Sequence, residues 1–466
     1  MTDLLLQSAS ELRRLVGRGE LSAVELIEAT LQRIEESNGE INAVVTLEPR
    51  ARQEARALDA RRARGEELGP LHGLPVGIKD VTPVAGLRTT YGSPLYADHV
   101  PEEDAEVVRR LRAAGAVVIG KTNTPEFATG ANTFNEVFGR TRNPWNLERS
   151  AGGSTGGGAA ALATGMIALA EGTDLGGSLR IPAAFCGVVG MRPSPGLVPT
   201  SPSDYLWDTL QVTGPMARRA EDVALMLQAV AGPSARAPLA QPITGRDFVA
   251  AVARADALGV RLAYAPDVAG IGVDPAIEGV CRAAAMELRQ AGARVEETDL
   301  DLEYGKRSFL ALRGYWMVAQ QHPRLERIER FGDNLRGNVE AGLRRSVAEL
   351  AEAEALRGRL WDDLRRLFER CDLLLTPCVA VPPFPVGQNY PDAIAGRPMR
   401  TYVDWIAPTF VLSLAGLPIA SVPAGLDPEG LPVGLQIVGP PRGEEAVLAM
   451  ARILQEARPV GLPSMR

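Results

Sequence analysis

Two serines in separate glycine-rich stretches, and one lysine upstream of them, are the residues of this sequence best suited to nucleophilic chemistry. Ser154 lies within the stretch 151–158, and Ser178 directly follows the run Asp174–Gly177. A serine hydroxyl is a weak nucleophile at neutral pH and needs a base that removes its proton. A lysine serves as that base when burial lowers its pKa. These residue types therefore suit a serine hydrolase with a lysine base.

Lysine is rare in this chain, which makes each lysine informative. The sequence has 50 lysines and arginines together, and the lysines are Lys79, Lys121 and Lys306. An ammonium group can lose its proton inside a protein, whereas a guanidinium cannot. Lys79 ends a short apolar run that begins at Leu74 and predicts a buried strand with its polar end at a site. Lys79 is therefore the candidate base.

The first glycine-rich stretch also matches the G-x-S-x-G motif, which would make Ser154 the nucleophile of an α/β-hydrolase. That arrangement needs a later histidine and a strand directly before the motif. Of the three histidines only His322 follows, in an ordinary helix-end context, and the residues Asn143–Asn146 predict a turn. The α/β-hydrolase interpretation is therefore disfavoured.

Cofactor-dependent chemistry has little support in the sequence. Gly156, Gly158 and Ala161, with Asp174 further on, fit a loose dinucleotide fingerprint, but the strand that must precede it is again missing. There is no HExxH motif, and three scattered histidines do not suggest a metal site. We expect no cofactor and no metal.

Ser178 has the better surroundings for attack on a carbonyl group. The two glycines before it let successive backbone N–H groups turn toward one point, which is the geometry that an oxyanion hole requires. The alternative interpretation is that Gly176-Gly177-Ser178 forms only a tight turn. These residues alone leave both interpretations open.

Five separated segments, in this order along the chain, resemble the motifs of the amidase signature family. They are Gly73–Asp80, Gly120–Phe127, Gly152–Gly157, Asp174–Ala183 and Gly430–Gln436. Ser154 and Ser178 are 24 positions apart (178 − 154), which is the family's spacing. The resemblance covers nearly the whole chain and is weakest over residues 230–370.

The resemblance implies an α/β fold in which a mixed, largely parallel β-sheet is sandwiched between helix layers. It also implies a Ser–cisSer–Lys triad in which Ser178 attacks the carbonyl carbon, Ser154 on a cis peptide bond relays the proton, and neutral Lys79 is the terminal base. The oxyanion hole is expected from four consecutive backbone N–H groups, those of Leu175, Gly176, Gly177 and Ser178.

Three further residues are expected to support this machinery. Asp174 and Arg180 should hold the two loops by pairing or hydrogen bonding. Thr155 stands where the family usually has a second serine, so the hydroxyl survives and the added methyl group could crowd the loop. Lys121 retains its family motif and is interpreted as structural.

Substrate and partners follow only in outline. The family cleaves primary amides, anilides, fatty amides, carbamates and small ureas, and includes the glutaminase subunit of a tRNA amidotransferase. We expect a small-molecule amide, anilide or carbamate substrate, and the alternative is that glutaminase subunit. Five aromatic residues near glycine- and proline-rich loops are the candidates for the substrate pocket: Tyr205, Trp207, Trp316, Tyr402 and Trp405.

Composition restricts the class of protein. The net charge of −7 and the absence of a basic cluster argue against a nucleic-acid partner. No apolar segment approaches the ~20 residues that span a bilayer, and the first 14 residues lack the apolar core of a signal peptide. Four cysteines without CxxC spacing do not form a disulfide framework. We expect a cytoplasmic enzyme without a membrane partner, and a homodimer is left open.

The elements that must position these residues alternate between helices and short apolar strands. We expect one amidase domain over residues 1–466. It consists of N-terminal helices (1–70), a catalytic core (71–230), a helical elaboration (230–370) with a strand near Arg261–Tyr264, and a C-terminal sheet and helix (371–466) that complete the core. The proline-rich piece Pro377–Pro385 is expected to be a surface connection.

Overall fold

The fold is built on one large mixed β-sheet. The structure, a computed structural model, describes residues 4–464, so the outermost residues of the predicted 1–70 and 371–466 segments lie outside it. Within the described residues the sheet has eleven strands. In chain order they are β1 (Val44–Leu47), β2 (Pro75–Lys79), β3 (Val117–Thr122), β4 (Leu169–Asp174), β5 (Val189–Arg192), β6 (Val212–Ala217), β7 (Arg261–Tyr264), β8 (Arg294–Glu297), β9 (Leu373–Pro377), β10 (Ile419–Leu426) and β11 (Pro432–Val438).

The strand order across the sheet is β1-β3-β2-β4-β6-β5-β10-β11-β9-β7-β8. Strand β2 pairs in parallel with β3 and β4, and strand β7 pairs in parallel with β8 and β9. The other pairings of the described strands are antiparallel. The sheet is therefore mixed, as expected, but it is not largely parallel: four of the ten pairings among the described strands are parallel, in two groups on either side of an antiparallel middle.

Helices cover both faces of the sheet. Successive residues of β9 show this, because Leu373 and Leu375 belong to one apolar core and Leu374 belongs to a second. The helices are α1 (Ala9–Arg18), α2 (Ala23–Ile41), α3 (Ala51–Ala63), α4 (Glu106–Ala113), α5 (Gly156–Ala163), α6 (Arg180–Cys186), α7 (Ala220–Val230), α8 (Phe248–Ala253), α9 (Pro275–Gln290), α10 (Gly305–Gln321), α11 (Asp333–Leu343), α12 (Val347–Phe368), α13 (Ala407–Ser413) and α14 (Glu444–Ala457).

The N-terminal helices begin where their capping residues stand in the sequence. Ser22 and Glu25 form a reciprocal capping box at the start of α2, and Ser8 accepts a hydrogen bond from the backbone N–H of Glu11 at the start of α1. Strand β1 interrupts this helical region, which the sequence pattern did not predict. β1 is four residues long and pairs only with β3 at the edge of the sheet.

Helix α5 begins at Gly156, three residues earlier than its alanine run suggests. The glycines that resemble a loop in the sequence are needed for close packing. A Cβ atom at Gly157 would lie 2.3 Å from the backbone nitrogen of Asn123 and 2.7 Å from the carbonyl oxygen of Ala43. The glycine at position 157 therefore allows the start of α5 to pack directly against the backbone of Ala43 and Asn123.

Residues 230–370 are mostly helical, as expected, and also supply two strands to the shared sheet. Strand β7 was predicted, whereas β8 was not, because its four residues are largely exposed and carry three charges.

The proline-rich piece Pro377–Pro385 is not a surface connection: Cys378, Val381 and Phe384 are buried in the second apolar core. Proline accepts this position because its missing N–H needs no buried acceptor. No helix within residues 4–464 is long and apolar enough to cross a membrane.

Candidate active site

Lys79 lies at the end of β2 and is completely buried. Its Nζ is 2.6 Å from Ser154 Oγ, 2.9 Å from Thr155 Oγ1 and 3.0 Å from Thr173 Oγ1. A neutral amine donates two hydrogens and accepts one, so three hydroxyls satisfy it when one of them donates. The geometry thus suits an uncharged lysine that accepts the Ser154 proton.

Burial lowers the pKa of Lys79 to about 7, and the charges of Glu171 and Asp174 oppose this shift. Glu171 lies on the neighbouring strand β4, where its carboxylate accepts hydrogen bonds from the backbone N–H of Lys79 (3.1 Å) and from Thr82 Oγ1 (2.9 Å). Burial raises the pKa of Glu171. Close to neutral pH a large fraction of Lys79 is therefore unprotonated and able to act as a base.

Ser154 follows a cis peptide bond from Gly153, as the resemblance implied. Its loop is held by Thr133, whose hydroxyl donates to the carbonyl oxygen of Gly152 (2.8 Å) and accepts from the N–H of Gly156 (3.1 Å). Gly153 packs so closely that a Cβ atom would lie 2.8 Å from the carbonyl carbon of Ala131. The loop is thereby fixed with the Ser154 hydroxyl against Lys79.

Ser178 lies in the turn between β4 and α6 and is partly exposed, unlike the fully buried Ser154. Both serines line one narrow cavity, whose volume is about 30 Å³. The N–H of Thr155 donates to the carbonyl oxygen of Ser178 (3.1 Å), which ties the two glycine-rich segments together. The accessible serine is therefore the one that a substrate carbonyl can approach.

The predicted oxyanion donors divide into two groups. The N–H of Gly177 donates to Asp174 Oδ1 at 2.9 Å, so it is turned away from the cavity and is not available to an oxyanion. The N–H groups of Leu175, Gly176 and Ser178 have no acceptor among residues 4–464. Gly177 instead has a conformational role, because its φ of +126° and a Thr409 Oγ1 only 2.4 Å from a built Cβ exclude a side chain.

Asp174 and Arg180 form a fully buried ion pair beneath this turn. Both carboxylate oxygens of Asp174 bind the Arg180 guanidinium at 3.0 Å, and Arg192 adds a second cation at 3.3 Å. Burial alone would raise the pKa of Asp174, but the two arginines lower it overall. The carboxylate also accepts the N–H of Leu179 at 3.1 Å, so it sets the shape of the turn that carries Ser178.

Thr155 contacts Lys79 through its hydroxyl, and its methyl group does not crowd the loop. The methyl group lies over Gly172, where a built Cβ would come within 2.5 Å of Thr155 Cγ2. The absence of a side chain at Gly172 thus leaves space for threonine instead of the usual serine.

Lys121 is also buried: it donates to the carbonyl oxygen of Thr82, and burial lowers its pKa to about 8. Lys121 does not line the cavity.

The five aromatic residues predicted to line the substrate pocket lie in different parts of the structure. Trp316 and Tyr402 line the cavity that contains Ser178. Tyr205 lines a neighbouring cavity, and Trp207 is 66% exposed. Trp405 is not a pocket residue in this structure, because it is completely buried and stacks on the ring of Phe185 at 5.8 Å.

Several contributors to the cavity were not found in the sequence. Thr173 precedes the known motif by one residue and gave no separate signal. The other contributors are Ile181 on α6, Phe309, Arg313 and Met317 on α10, and Ile406 directly before α13. The described residues contain no cluster of histidine, cysteine and carboxylate side chains able to hold a metal, and the four cysteines are buried free thiols.

Known sequences resemble this chain over nearly its whole length. The sequence profile of the Amidase family matches residues 25–448. The chain is 37% identical over 465 residues to an acylamidase from Rhodococcus erythropolis, covering 97% of this chain and 95% of the relative. It is also 37% identical over 487 residues to a glutamyl-tRNA(Gln) amidotransferase subunit from Moorella thermoacetica, covering 98% of this chain and 97% of the relative.

Solved structures agree with the sequence comparison. A bacterial aryl acylamidase of the amidase signature enzymes superposes with a TM-score of 0.91 at 30% identity, covering 98% of this chain and 97% of that chain. A substrate complex of 6-aminohexanoate cyclic dimer hydrolase gives a TM-score of 0.86 at 28% identity, covering 98% of both chains. The expected α/β fold is therefore confirmed, and the chain belongs to the amidase signature family, whose enzymes hydrolyse non-peptide carbon–nitrogen bonds.

Proposed function

We propose that this amidohydrolase cleaves a small amide, anilide or carbamate through an acyl-enzyme on Ser178. The observation that carries the proposal is the buried Lys79, whose pKa is about 7 and whose Nζ lies 2.6 Å from Ser154 Oγ. The cavity that Ser154 shares with Ser178 adds an accessible nucleophile to this base. Lys79, Ser154 and Ser178 thus have the roles of base, relay and nucleophile.

The reaction follows from these positions. Ser178 Oγ attacks the carbonyl carbon while its proton passes to Ser154 Oγ, and the Ser154 proton passes to Lys79 Nζ. The N–H groups of Leu175 and Gly176 are free to stabilise the oxyanion that forms. The proton then returns through Ser154 to the leaving nitrogen, and the carbon–nitrogen bond breaks. Water repeats the sequence, which releases the acid and regenerates Ser178.

Covalent labelling tests the assignment of the nucleophile. A fluorophosphonate reacts with an activated serine, and mass spectrometry of the digested adduct should find it on Ser178. Ser178→Ala should abolish labelling, whereas Ser203→Ala, a matched change at a serine outside this cavity, should leave it intact. An adduct on Ser154 would overturn the proposal and make Ser154 the nucleophile.

The carbamate and anilide preferences rest on the shape of the cavity. Apart from Arg313, its walls are mainly apolar and aromatic, which suits a substrate with an apolar body. A second, larger cavity of about 270 Å³ shares Ala128, Thr173, Gln211 and Trp316 with it and gives room for a leaving group. Turnover of aryl amides and aryl carbamates of increasing size would measure this room.

The second candidate is the glutaminase subunit of an amidotransferase, which the similarity to the Moorella thermoacetica protein favours. It predicts glutaminase activity and stable association with companion subunits. Size-exclusion chromatography of the purified chain, with parallel assays on glutamine and an aryl amide, separates the two candidates. The same column tests the homodimer, and the cytoplasmic location stays a prediction that fractionation of the source cells would check.

A further inference from the structure

Arg313 is a buried cation in the catalytic cavity without an anionic partner. It lies on α10, is 6% exposed and lines the cavity together with Ser178. Its guanidinium donates hydrogen bonds to Asn338 Oδ1 and to the hydroxyl of Tyr402, which are both neutral acceptors. Across residues 4–464 no carboxylate forms an ion pair with it.

Other arginines near the cavity each contact a carboxylate. Arg180 and Arg192 pair with Asp174, and Arg324, at the larger outer cavity, pairs with Asp204 at 2.7 Å. A guanidinium stays charged in proteins, and a buried charge is costly unless an opposite charge compensates it. Arg313 therefore differs from these arginines, because no carboxylate of the described residues pairs with it.

The cavity itself supplies no such charge. Among its described lining residues there is no aspartate or glutamate. Asp208 contacts the lining residue Trp316 but does not itself line the cavity. Its carboxylate accepts hydrogen bonds from the indole N–H of Trp316 (2.6 Å) and from the backbone N–H groups of Leu210 and Gln211. The anion that matches Arg313 must therefore arrive with the ligand.

A second donor lies beside Arg313. The hydroxyl of Tyr402 accepts hydrogen bonds from Arg313 and from Asn338 Nδ2 (3.2 Å), while its own proton has no acceptor among the described residues. Tyr402 is 5% exposed, and burial keeps its phenol neutral by raising its pKa. A guanidinium next to a phenol O–H is a donor pair that suits the two oxygens of a carboxylate.

We propose that Arg313 and Tyr402 bind a carboxylate on the acyl part of the substrate, so that the enzyme prefers the monoamides of dicarboxylic acids. The inference rests on the proposed role of Ser178, because it places the scissile bond at that residue. The acyl part is favoured because Arg313 belongs to the inner cavity, closed by Phe309, Met317 and Ile406. In this arrangement the leaving nitrogen would extend toward the larger cavity, which shares Thr173 and Trp316 with the cavity of Ser178.

The absence of a carboxylate from the cavity lining refines the substrate class. Glutamine carries an ammonium group beside its carboxylate, and this ammonium would find no anionic partner among the lining residues. Glutaramate, which is glutamine without the amino group, avoids that cost. The structure thus favours glutaramate-like acids over glutamine.

Matched substrate pairs test the inference. Succinamate, glutaramate and adipamate are each compared with the uncharged amide in which a methyl group replaces the carboxylate: butanamide, pentanamide and hexanamide. At the best chain length kcat/KM for the acid should exceed that for the neutral amide by about 30-fold or more, as expected for a buried charge pair. Glutamine should be a poorer substrate than glutaramate, and N-acetyl-β-alanine should gain nothing over N-propylacetamide.

Substitution then assigns the preference to Arg313. Arg313→Met should bring the acid-to-neutral ratio of kcat/KM close to one, because the carboxylate of the acid loses its cationic partner whatever happens to the turnover common to both substrates. Arg307→Met is the matched control: it lies on the same helix, is exposed, and should keep the full preference. Should Arg313→Met fail to fold, inhibition of the unmodified enzyme by glutarate and pentanoate gives the same comparison, with glutarate expected to bind more tightly.

The outcomes separate the inference from the proposed function. Hydrolysis of the neutral amides without any preference for the acids, or a preference that survives in Arg313→Met, overturns the carboxylate site and leaves the amidase chemistry intact. A protein that turns over neither series and is not labelled on Ser178 overturns the proposed function itself.

Discussion

The pKa of Lys79 decides how the proposed reaction responds to pH. The base is active when unprotonated, so kcat/KM should rise with pH through the pKa of about 7 and level off at alkaline pH. The sign follows from burial, which removes the proton at lower pH than in a free lysine. A pH profile measured with an uncharged amide checks this, and a rate independent of pH between 6 and 8 would contradict it.

Substitution of Lys79 separates charge from basicity. Lys79→Arg keeps a cation but cannot offer a neutral nitrogen, so kcat should fall by about 10²–10⁴ or more. Lys306→Arg is the matched control and should retain activity, since Lys306 pairs with Glu303 at 3.2 Å outside the catalytic cavity. Full activity of Lys79→Arg would remove Lys79 from the mechanism.

The neighbouring carboxylate of Glu171 should tune this base. Its charge raises the pKa of Lys79, so Glu171→Gln should move the inflection of the kcat/KM profile to lower pH. The amide oxygen can still accept from the N–H of Lys79, and the amide NH2 can donate to Thr82 Oγ1, which limits structural damage. No shift would show that Glu171 is uncharged when Lys79 titrates, and a shift to higher pH would contradict the assigned effect of its charge.

Thr155 offers a matched pair of substitutions. Thr155→Ser keeps the hydroxyl 2.9 Å from Lys79 Nζ and removes the methyl group over Gly172, so activity should persist while stability falls by about 1 kcal/mol. Thr155→Val keeps the shape of the side chain and loses the hydroxyl. Lys79 then lacks one hydrogen-bond partner, so the free energy of unfolding should fall by about 1–3 kcal/mol. Amide turnover and thermal unfolding distinguish the two, and equal turnover in both variants would make the hydroxyl irrelevant.

At the scale of elements, the sequence predicted best what local chemistry determines. The predicted C-terminal helix is present as α14, and the predicted N-terminal helices include α2, which Ser22 caps. The triad candidates were found because motifs mark the ends of β2, the start of α5 and the turn after β4. Short edge strands such as β1 and β8 were missed, since their pairing depends on partners far away in sequence.

The same reason explains what was missing from the site. No local sequence pattern predicts that Arg313 lines the cavity, because this depends on how α10 packs against the turn after β4. Gly177 was assigned to the oxyanion hole from its sequence position, whereas the carboxylate of Asp174 takes its N–H. Composition and spacing identify which residues can react, and packing decides which of the remaining groups face the substrate.

The turn after β4 should depend on one buried arginine. Arg180 binds Asp174 and also donates to the carbonyl oxygen of Thr409 (3.0 Å), to Gln436 Oε1 (2.8 Å) and to Ser413 Oγ (2.6 Å). Arg180→Met leaves these acceptors without their buried donor, so the free energy of unfolding should fall by about 3–5 kcal/mol. kcat should fall with it, because the turn carries Ser178.

An exposed arginine gives the control for this prediction. Arg261→Met breaks a surface pair with Asp372 whose side chains are 45% and 44% exposed, and should cost less than about 1 kcal/mol. Chemical denaturation of both variants measures the difference. Equal and small losses in the two would mean that Asp174 keeps the turn in place through Arg192 alone.

At the scale of the whole molecule, the four predicted segments share one sheet. Strand β5 pairs with β10 through Gly190 and Ser421, which joins the catalytic segment to the C-terminal one. Strands β7 and β8 attach the largely helical segment to the same sheet through β9. We therefore propose that residues 4–464 unfold as one unit, with activity and secondary structure lost together.

A cut in the backbone tests this unity. Thr244 and Gly245 are exposed, lie between α7 and α8, and belong to no strand, so a protease recognition sequence inserted between them should be tolerated. After cleavage of the folded protein, the fragments should stay together on size exclusion and keep most of the amidase activity, because the β5–β10 pairing and the Arg180–Gln436 hydrogen bond cross between them. The uncleaved insertion variant is the control. Separation of the fragments under native conditions would show instead that the chain consists of independent domains.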